Sequence, residues 1–278
     1  WGEKCVERFN GQWAFCIFDK QREVLFCSRD RFGILPFYYF HDGKNFAFAS
    51  EIKALLILPF IKNGLNDDTV FDFLTFGLSD HSEDTMFSGI KQIKPWHNLI
   101  FHLRCGKLSI ERYYLLQYEP IFGRYIEKKA HEYADCLMNL LIDAVRIRLR
   151  SDVPIGSCLS GGLDSSSIVT IINRLLWEEG SLFTQIGERQ KTFTASYPGS
   201  NVDESKFVKE AVNYTGADAY FTYPGPEELW SGLDRLLYQQ DEPFGSTSIY
   251  LQNEVIKLAS SKVKVLLDGQ GGDEVLAV

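Results

Sequence analysis

The sequence predicts an α/β protein in two parts: a β-rich first part over residues 1–118, and a second part with helices around a parallel sheet over 119–278. Three observations carry this. Runs of aromatic and β-branched residues separated by polar turns fill the first part, and strand-like and helix-like stretches alternate after residue 150. The length of 278 residues fits about two domains at the usual ~150 residues each. With 45% hydrophobic and 24% charged residues the chain has ordinary globular usage, which excludes a mainly disordered, collagenous or coiled-coil protein.

The first part reads as strands throughout. Residues 13–19 and 24–30 flank the polar turn Lys20-Gln21-Arg22-Glu23, and residues 37–40 and 46–49 flank His41-Asp42-Gly43-Lys44, whose Asp-Gly pair suits a tight hairpin turn. Residues 98–103 and 108–114 form a further pair about Cys105-Gly106-Lys107. Both faces of these strands are apolar, so the sheet is expected to be covered on both sides.

A helix is predicted over 127–150, with Tyr133, Leu137, Leu141, Ala144 and Val145 at helical spacing. Arg146, Arg148 and Arg150 fall in its last turn, where positive charge complements the helix dipole, and they read as a solvated helix end. Strands at 154–159, 191–197, 217–223 and 263–267 then alternate with helices at 163–177, 226–239 and 248–260. A further helix carries Phe207, Val208, Ala211 and Val212, capped by Asp203 and stopped at Gly216. Such alternation argues for a parallel sheet with helices on both faces.

Lys+Arg 29 against Asp+Glu 37 gives a net charge of −8, which speaks against a binder that neutralises nucleic-acid phosphates. No apolar run approaches the ~18 residues of a membrane span. The six cysteines, Cys5, Cys16, Cys27, Cys105, Cys136 and Cys158, form no Cys-x-x-Cys pair and read as reduced core thiols in a cytoplasmic setting. All five histidines precede residue 132, so the second part cannot by itself supply a Ser-His-Asp triad or a His-ligated zinc. A first residue Trp1 and a last residue Val278 inside an apolar run lead to the expectation of an internal stretch of a longer protein.

The chemistry is expected at two turns. Leu159-Ser160-Gly161-Gly162-Leu163-Asp164-Ser165-Ser166 joins a strand to a helix. Its glycines let backbone approach a ligand, and the N–H groups of the following helix end point at that space, which makes an anion cradle. Hydroxyls of Ser160, Ser165 and Ser166 can donate to phosphate oxygens, and Asp164 can bind a hard cation such as Mg²⁺. The turn lacks the lysine of a Walker A loop and the G-x-S-x-G of a nucleophile elbow. The second turn is Asp268-Gly269-Gln270-Gly271-Gly272-Asp273-Glu274, in which Glu274 stands where a dinucleotide loop carries its third glycine. At the carboxyl end of a neighbouring strand it can face the first turn across a crevice, with Asp273 offering a second carboxylate.

Ser160-Gly161-Gly162-Leu163-Asp164-Ser165 resembles the pyrophosphate loop of the ATP pyrophosphatase superfamily. Together with Gly269-Gln270-Gly271-Gly272-Asp273-Glu274, Arg29-Asp30-Arg31-Phe32-Gly33-Ile34-Leu35-Pro36 and Ser50-Glu51-Ile52-Lys53-Ala54-Leu55, it makes the chain resemble the glutamine-hydrolysing asparagine synthetase family over essentially its whole length. The resemblance implies an N-terminal-nucleophile glutaminase sandwich, of which 1–118 would be the C-terminal part. It also implies an ATP pyrophosphatase synthetase domain, of which 119–278 would be the N-terminal part. In that family ATP activates the aspartate side chain as an acyl-adenylate, pyrophosphate leaves on Mg²⁺, and ammonia from glutamine displaces AMP.

By position, Ser160, Gly161, Gly162, Asp164, Ser165 and Ser166 would hold the pyrophosphate. Backbone at Cys158, Leu159, Ala195, Asp268 and Gly269 would contact the adenosine part, Asp164 and Asp273 would ligate Mg²⁺, and Asp164, Asp273 and Gln270 are the catalytic candidates. Residues 241–247 would lie beside the pyrophosphate and amino-acid pocket. The implied cofactors are ATP and Mg²⁺. The implied partners are aspartate and glutamine-derived ammonia, not nucleic acid or membrane, and a homodimer is left open.

Well-known members carry Glu where Gln270 stands, and that Glu is associated with forming the acyl-adenylate. The acceptor therefore stays open between aspartate and the peptide, sugar or β-lactam precursors of related enzymes, and a nucleotide-binding module without turnover is a third reading. The family's glutaminase nucleophile, a cysteine at the mature N-terminus, is not among these residues. Cys5, Cys16 and Cys27 are read as core, and this stretch by itself is expected neither to hydrolyse glutamine nor to complete synthesis.

Overall fold

A computed structural model describes residues 1–118, 123–200 and 203–276. The chain divides into two compact units, one of Trp1–Ile121 with Leu237–Gly245, the other of Phe122–Leu236 with Ser246–Val278.

The first unit contains a 3-10 helix at Gly2–Arg8, strands β1 (Ala14–Asp19), β2 (Val24–Arg29), β3 (Tyr38–His41) and β4 (Phe46–Ala49), and helices α1 (Ile52–Leu56) and α2 (Asp67–Phe76). Strands β5 (Ile90–Gln92), β6 (His97–His102) and β7 (Lys107–Arg112) follow. Two antiparallel sheets result, ordered β1-β2-β6-β7 and β4-β3-β5. Period-2 alternation explains the layers. Cys27, Leu99 and Phe101 meet Phe37, Tyr39 and Ile93 between the sheets. Val24, Phe26 and Ile100 on the opposite face of the first sheet pack with Val6 and Trp13, and Phe40 and Ile90 of the second pack with Ile52 and Leu55 of α1. The central strands are thus covered on both sides as expected, while the edge strands β1 and β7 stay partly exposed.

The β3–β4 turn follows its Asp-Gly signal. Asp42 accepts hydrogen bonds from the N–H groups of Lys44 (2.9 Å) and Asn45 (2.7 Å), and Gly43 takes φ +88°. These bonds, the Asn45 N–H first, hold the Asp42 carboxyl at about 2.

The expectation of strands throughout this part is corrected at the 3-10 helix, α1 and α2. The first two are only 7 and 5 residues long, too short to show a helical period. In α2 only Thr69 is buried while Phe71, Leu74 and Phe76 are exposed, so its apolar residues draw no core-facing stripe. Its end was marked all the same by Gly77, which takes φ +68° at the carboxyl cap.

The second unit contains α3 (Glu127–Arg148), β8 (Ile155–Cys158), α4 (Leu163–Glu179), β9 (Lys191–Ala195), α5 (Ser205–Thr215) and β10 (Asp218–Thr222). It continues with α6 (Pro226–Gln240), α7 (Ser248–Ser260), β11 (Val265–Leu267) and α8 (Gly272–Leu276). Its four strands are parallel in the order β10-β9-β8-β11. Neighbouring residues of β11 separate the faces. Leu267 packs with Ile155, Ile171, Leu175 and Val145 of the α3–α4 side, whereas Leu266 packs with Phe193, Val255 and Ala259 of the α7 side. From β8 the chain runs outward through β9 to β10 and then returns to β11 on the other flank of β8. That reversal makes the β8/β11 junction the topological switch point, where ligands of open α/β sheets collect.

Two expectations change here. In α3 the buried residues are Ile142 and Val145, while Tyr133 and Leu137 at the same spacing are exposed. Asp203 sits one residue outside the cap position of α5, where its carboxylate accepts the Ser205 N–H at 3.1 Å. Of the six cysteines, all free thiols, Cys27 is buried and Cys5, Cys16 and Cys158 are half-buried. Cys105 and Cys136 are exposed and so are not core. Cys105 lies in the turn after β6, and Cys136 lies on the exposed half of α3. Among the described residues no helix is long and apolar enough to cross a membrane.

Candidate functional site

The loop after β8 is held from several sides. Leu159 is buried, its N–H donates to Phe193 O (3.0 Å) and its carbonyl accepts from the Thr194 hydroxyl (2.6 Å). Ser160 Oγ accepts the Gly162 N–H at 3.2 Å and lies 2.9 Å from Ser165 Oγ, and Ser165 Oγ accepts the Ser160 N–H at 3.2 Å. The serines therefore take different parts. Ser160 and the buried Ser165 brace the turn, whereas Ser166 makes no hydroxyl hydrogen bond among the described residues.

Gly161 takes φ +99°, and a Cβ there would stand 3.0 Å from Glu204 O and 3.2 Å from Phe207 Cβ. The first turn of α5 thus backs the loop, and the position needs glycine twice over. Gly162 caps α4 and has no side chain to offer the helix's open N–H groups, while the ladder begins with Ser166 N–H to Gly162 O at 3.1 Å. The first-turn donors of α4 remain directed outward.

The second loop closes on the first through glycines. A Cβ on Gly269 would stand 2.9 Å from Asp164 Cβ and from Ser165 N, and one on Gly272 would stand 2.5 Å from Asp164 Cγ. The Asp164 carboxylate therefore lies against the first residue of α8, and Asp273 is the next residue. Asp164 makes no hydrogen bond among the described residues, and Asp273 and Gln270 are exposed. Mg²⁺ keeps its octahedral shell by taking one or two carboxylates and filling the rest with phosphate oxygens and water. Two such carboxylates beside an anion cradle fit that ion in kind and number. Among the described residues no three His, Cys, Asp or Glu side chains gather, so a cage of protein ligands alone is not formed.

Cys158, Leu159, Ala195, Asp268 and Gly269 all stand at the carboxyl ends of β8, β9 and β11, one edge of one sheet. The Cys158 thiol is pushed up to about 12, mainly by burial and further by the Asp268 carboxylate beside it. It stays protonated and serves as wall rather than nucleophile. In the segment 241–247 the carboxylates of Asp241 and Glu242 are engaged inside the first unit. Asp241, at φ +65°, accepts from Ile52 N–H (2.7 Å), Lys53 N–H (3.3 Å) and Lys53 Nζ (2.8 Å), and Glu242 accepts from Met86 N–H (2.6 Å).

Sequence reasoning passed over the supports of the first loop. The buried Ser196, directly after β9, lies 2.6 Å from Ser205 Oγ, and Ser205 also donates to Asp203. This chain, with Thr194, holds the β9 end and the start of α5 against Gly161. Its signal was available: a hydroxyl residue directly beyond a strand of a parallel sheet, followed by Asp203 and Ser205 at the start of the next helix.

Both parts of the chain are similar to known proteins. Residues 137–277 match the family model described as asparagine synthase, and residues 1–114 match that of a glutamine amidotransferase domain. A protein of Methanocaldococcus jannaschii, provisionally named a glutamine-hydrolyzing asparagine synthetase, is 39% identical over 99% of this chain and 50% of its own length. Asparagine synthetase 3 of Bacillus subtilis, named as glutamine-hydrolyzing, is 32% identical over 99% of this chain and 44% of its own length. The amidase chry2 of Gibberella zeae is 27% identical over 99% of this chain and 40% of its own length. The chain spans about half or less of the length of these relatives.

Proposed function

The chain belongs to the asparagine synthase family, and on that premise we propose that the protein works in ATP-dependent amide formation, activating the side-chain carboxylate of aspartate as an acyl-adenylate for ammonia drawn from glutamine. The observation that carries this reading is the seating of Asp164 against Gly272, which joins the two glycine turns at the switch point of a parallel sheet. A carboxylate is a poor acyl donor until its oxygen is tied to phosphate, and that is the step such a site is built to assist.

The chain's own residues divide the work. First-turn N–H groups of α4, with the Ser166 hydroxyl, face the phosphates, while Ser160 and Ser165 keep the turn in shape. Backbone at Leu159, Ala195, Asp268 and Gly269 lines the strand ends where the adenosine part would lie. Asp164 and Asp273 would hold Mg²⁺, which supplies neutralisation of the charge on departing pyrophosphate. Each such donor or ion is typically worth a few kcal/mol in the transition state.

Gln270 and the amidase-named relative favour a second reading, the same adenylation with another carboxylic acid. ATP–pyrophosphate exchange by the full-length protein tests both. Exchange that depends on aspartate supports the first, and exchange that depends on a different acid selects the second. Tight ATP binding with no exchange for any acid would overturn both in favour of a nucleotide-binding module without turnover.

A further inference from the structure

The first unit carries a pair of thiols that the proposed chemistry does not use. Cys16 of β1 stands directly opposite Cys27 of β2 in their antiparallel register. Directly opposed residues share one face, with Cβ atoms about 4.5–5.5 Å apart, and both side chains join the apolar layer between the two sheets with Phe37, Leu99 and Phe101. The interaction between the two thiols lowers the Cys16 thiol below its ordinary value and raises that of Cys27, which burial raises further. Access differs as well, for Cys27 is fully buried while Cys16 is half-buried on the edge strand.

We propose that Cys16 and Cys27 form a reversible dithiol–disulfide site, oxidised by a low-molecular-weight disulfide of the glutathione class. Cys16 is the attacking thiol, since it is the more accessible and its thiolate is the one stabilised. Its sulfur bonds to one sulfur of the oxidant, the oxidant's S–S bond breaks, and the first equivalent of free thiol leaves with the proton Cys16 has given up. Cys27 then loses its proton to solvent, attacks the Cys16 sulfur and expels the second equivalent. Two protein thiols are oxidised and one small disulfide is reduced to two thiols. A disulfide needs Cβ atoms about 3.5–4.5 Å apart, a closing shift of about 1 Å from the opposed-pair spacing. Among the described residues β1 pairs with no strand but β2, so a shift of that size breaks no second ladder. A bond between strands of one hairpin, reached through a half-buried sulfur, belongs with the labile disulfides rather than the structural ones.

Trypsin separates the two sulfurs, because cleavage after Arg8, Lys20, Arg22 and Arg29 places Cys16 in peptide 9–20 and Cys27 in peptide 23–29. The full-length protein is equilibrated with graded ratios of reduced to oxidised glutathione, alkylated, digested without reductant and mapped by mass. The expected product is the linked pair 9–20/23–29, lighter by about 2 Da than the sum of the two thiol peptides and lost on adding reductant. A Cys27→Ala variant is expected instead to accumulate glutathione on Cys16. The proposal is overturned if both peptides are recovered as free thiols under conditions that load the exposed Cys105 and Cys136 with glutathione, or if Cys16 links to some other cysteine. Should Cys27→Ala fail to fold, the wild-type peptide map alone decides.

Discussion

Asp30 in the first unit and Asp164 in the second stand in equally sharp sequence motifs at turns that follow strands, and the structure gives them opposite surroundings. Asp30 is 1% exposed and saturated, accepting the N–H groups of Phe32 (3.0 Å), Ile34 (3.1 Å) and Leu35 (3.1 Å). Its neighbour Arg29 uses four of its five N–H groups, donating to Leu35 O, Gly33 O, Gln92 Oε1 and Ile93 O. Gly33 takes φ +64° in the middle of this knot, where a Cβ would stand 2.8 Å from Pro95 Cγ. Asp164, only partly buried, makes no hydrogen bond among the described residues and lies beside bare glycines. A buried polar group with every partner in place is a structural staple. One left open against glycine backbone has capacity for a ligand. Motif sharpness alone does not tell the two apart, but the hydrogen-bond accounting does.

The sharpest way to break that contrast is Asp164→Ala. We expect exchange activity to fall about 1,000-fold, while urea unfolding of the second unit shifts by no more than about 0.5 kcal/mol. A large loss of stability would make Asp164 a staple after all. The mirror experiment is Asp30→Ala, which strands three backbone donors and is expected to destabilise the first unit by about 3 kcal/mol. Exchange per folded molecule should be unchanged.

Gly269→Val sharpens the picture by wedging the two turns apart. Its Cβ would meet Ser165 N and Asp164 at 2.9 Å, and a displacement of about 1 Å at a reacting centre costs about 100-fold in kcat/KM for ATP.

The smallest effect concerns pH. Glu242 has its carboxyl raised above the ordinary glutamate value, first by burial and then by the Asp80 and Asp241 charges, against the lowering effect of the Met86 N–H bond. A folded-state carboxyl that holds its proton more tightly makes the folded state bind more protons than the unfolded one. Its contribution is therefore full below the unfolded value and is lost as pH rises through the raised one. Urea midpoints of the first unit should decline over that interval, and Glu242→Gln should flatten the decline. Asp203 in the second unit runs the other way. The Ser205 hydroxyl and N–H hold its carboxyl low, so its share of stability is present above the ordinary aspartate value and lost as pH falls. Asp203→Asn should weaken only that acid-side loss, read in the same midpoints.

Much of this was legible in the chain because its signals are local. Strands β1 to β4 show as aromatic and β-branched runs broken by turn residues, and β8 to β11 show through their alternation with helices of ordinary length. Helix α1 and strand β5 escaped because 5 and 3 residues are too few to establish a period. The amino end of α1 is satisfied by Asp241, a residue distant in sequence that no reading of Ser50-Glu51-Ile52-Lys53 could bring there. Asp203 was recognised as a helix-start residue and its bond to Ser205, two residues on, is local, but the Ser196–Ser205 contact arises only where β9 and α5 meet.

By itself the sequence determined the two kinds of sheet, the family and the glycine-bearing turn after β8, because backbone torsion and side-chain chemistry over a few residues suffice for each. Tertiary structure alone decided that Gly269 and Gly272 come to rest on Asp164 and that Arg29 finds its partners at Gln92 and Ile93. The reason is physical. Hydrogen bonds and close contacts between distant stretches exist only after strands such as β8 and β11 have taken their places side by side, and which polar group is left open follows from that placement.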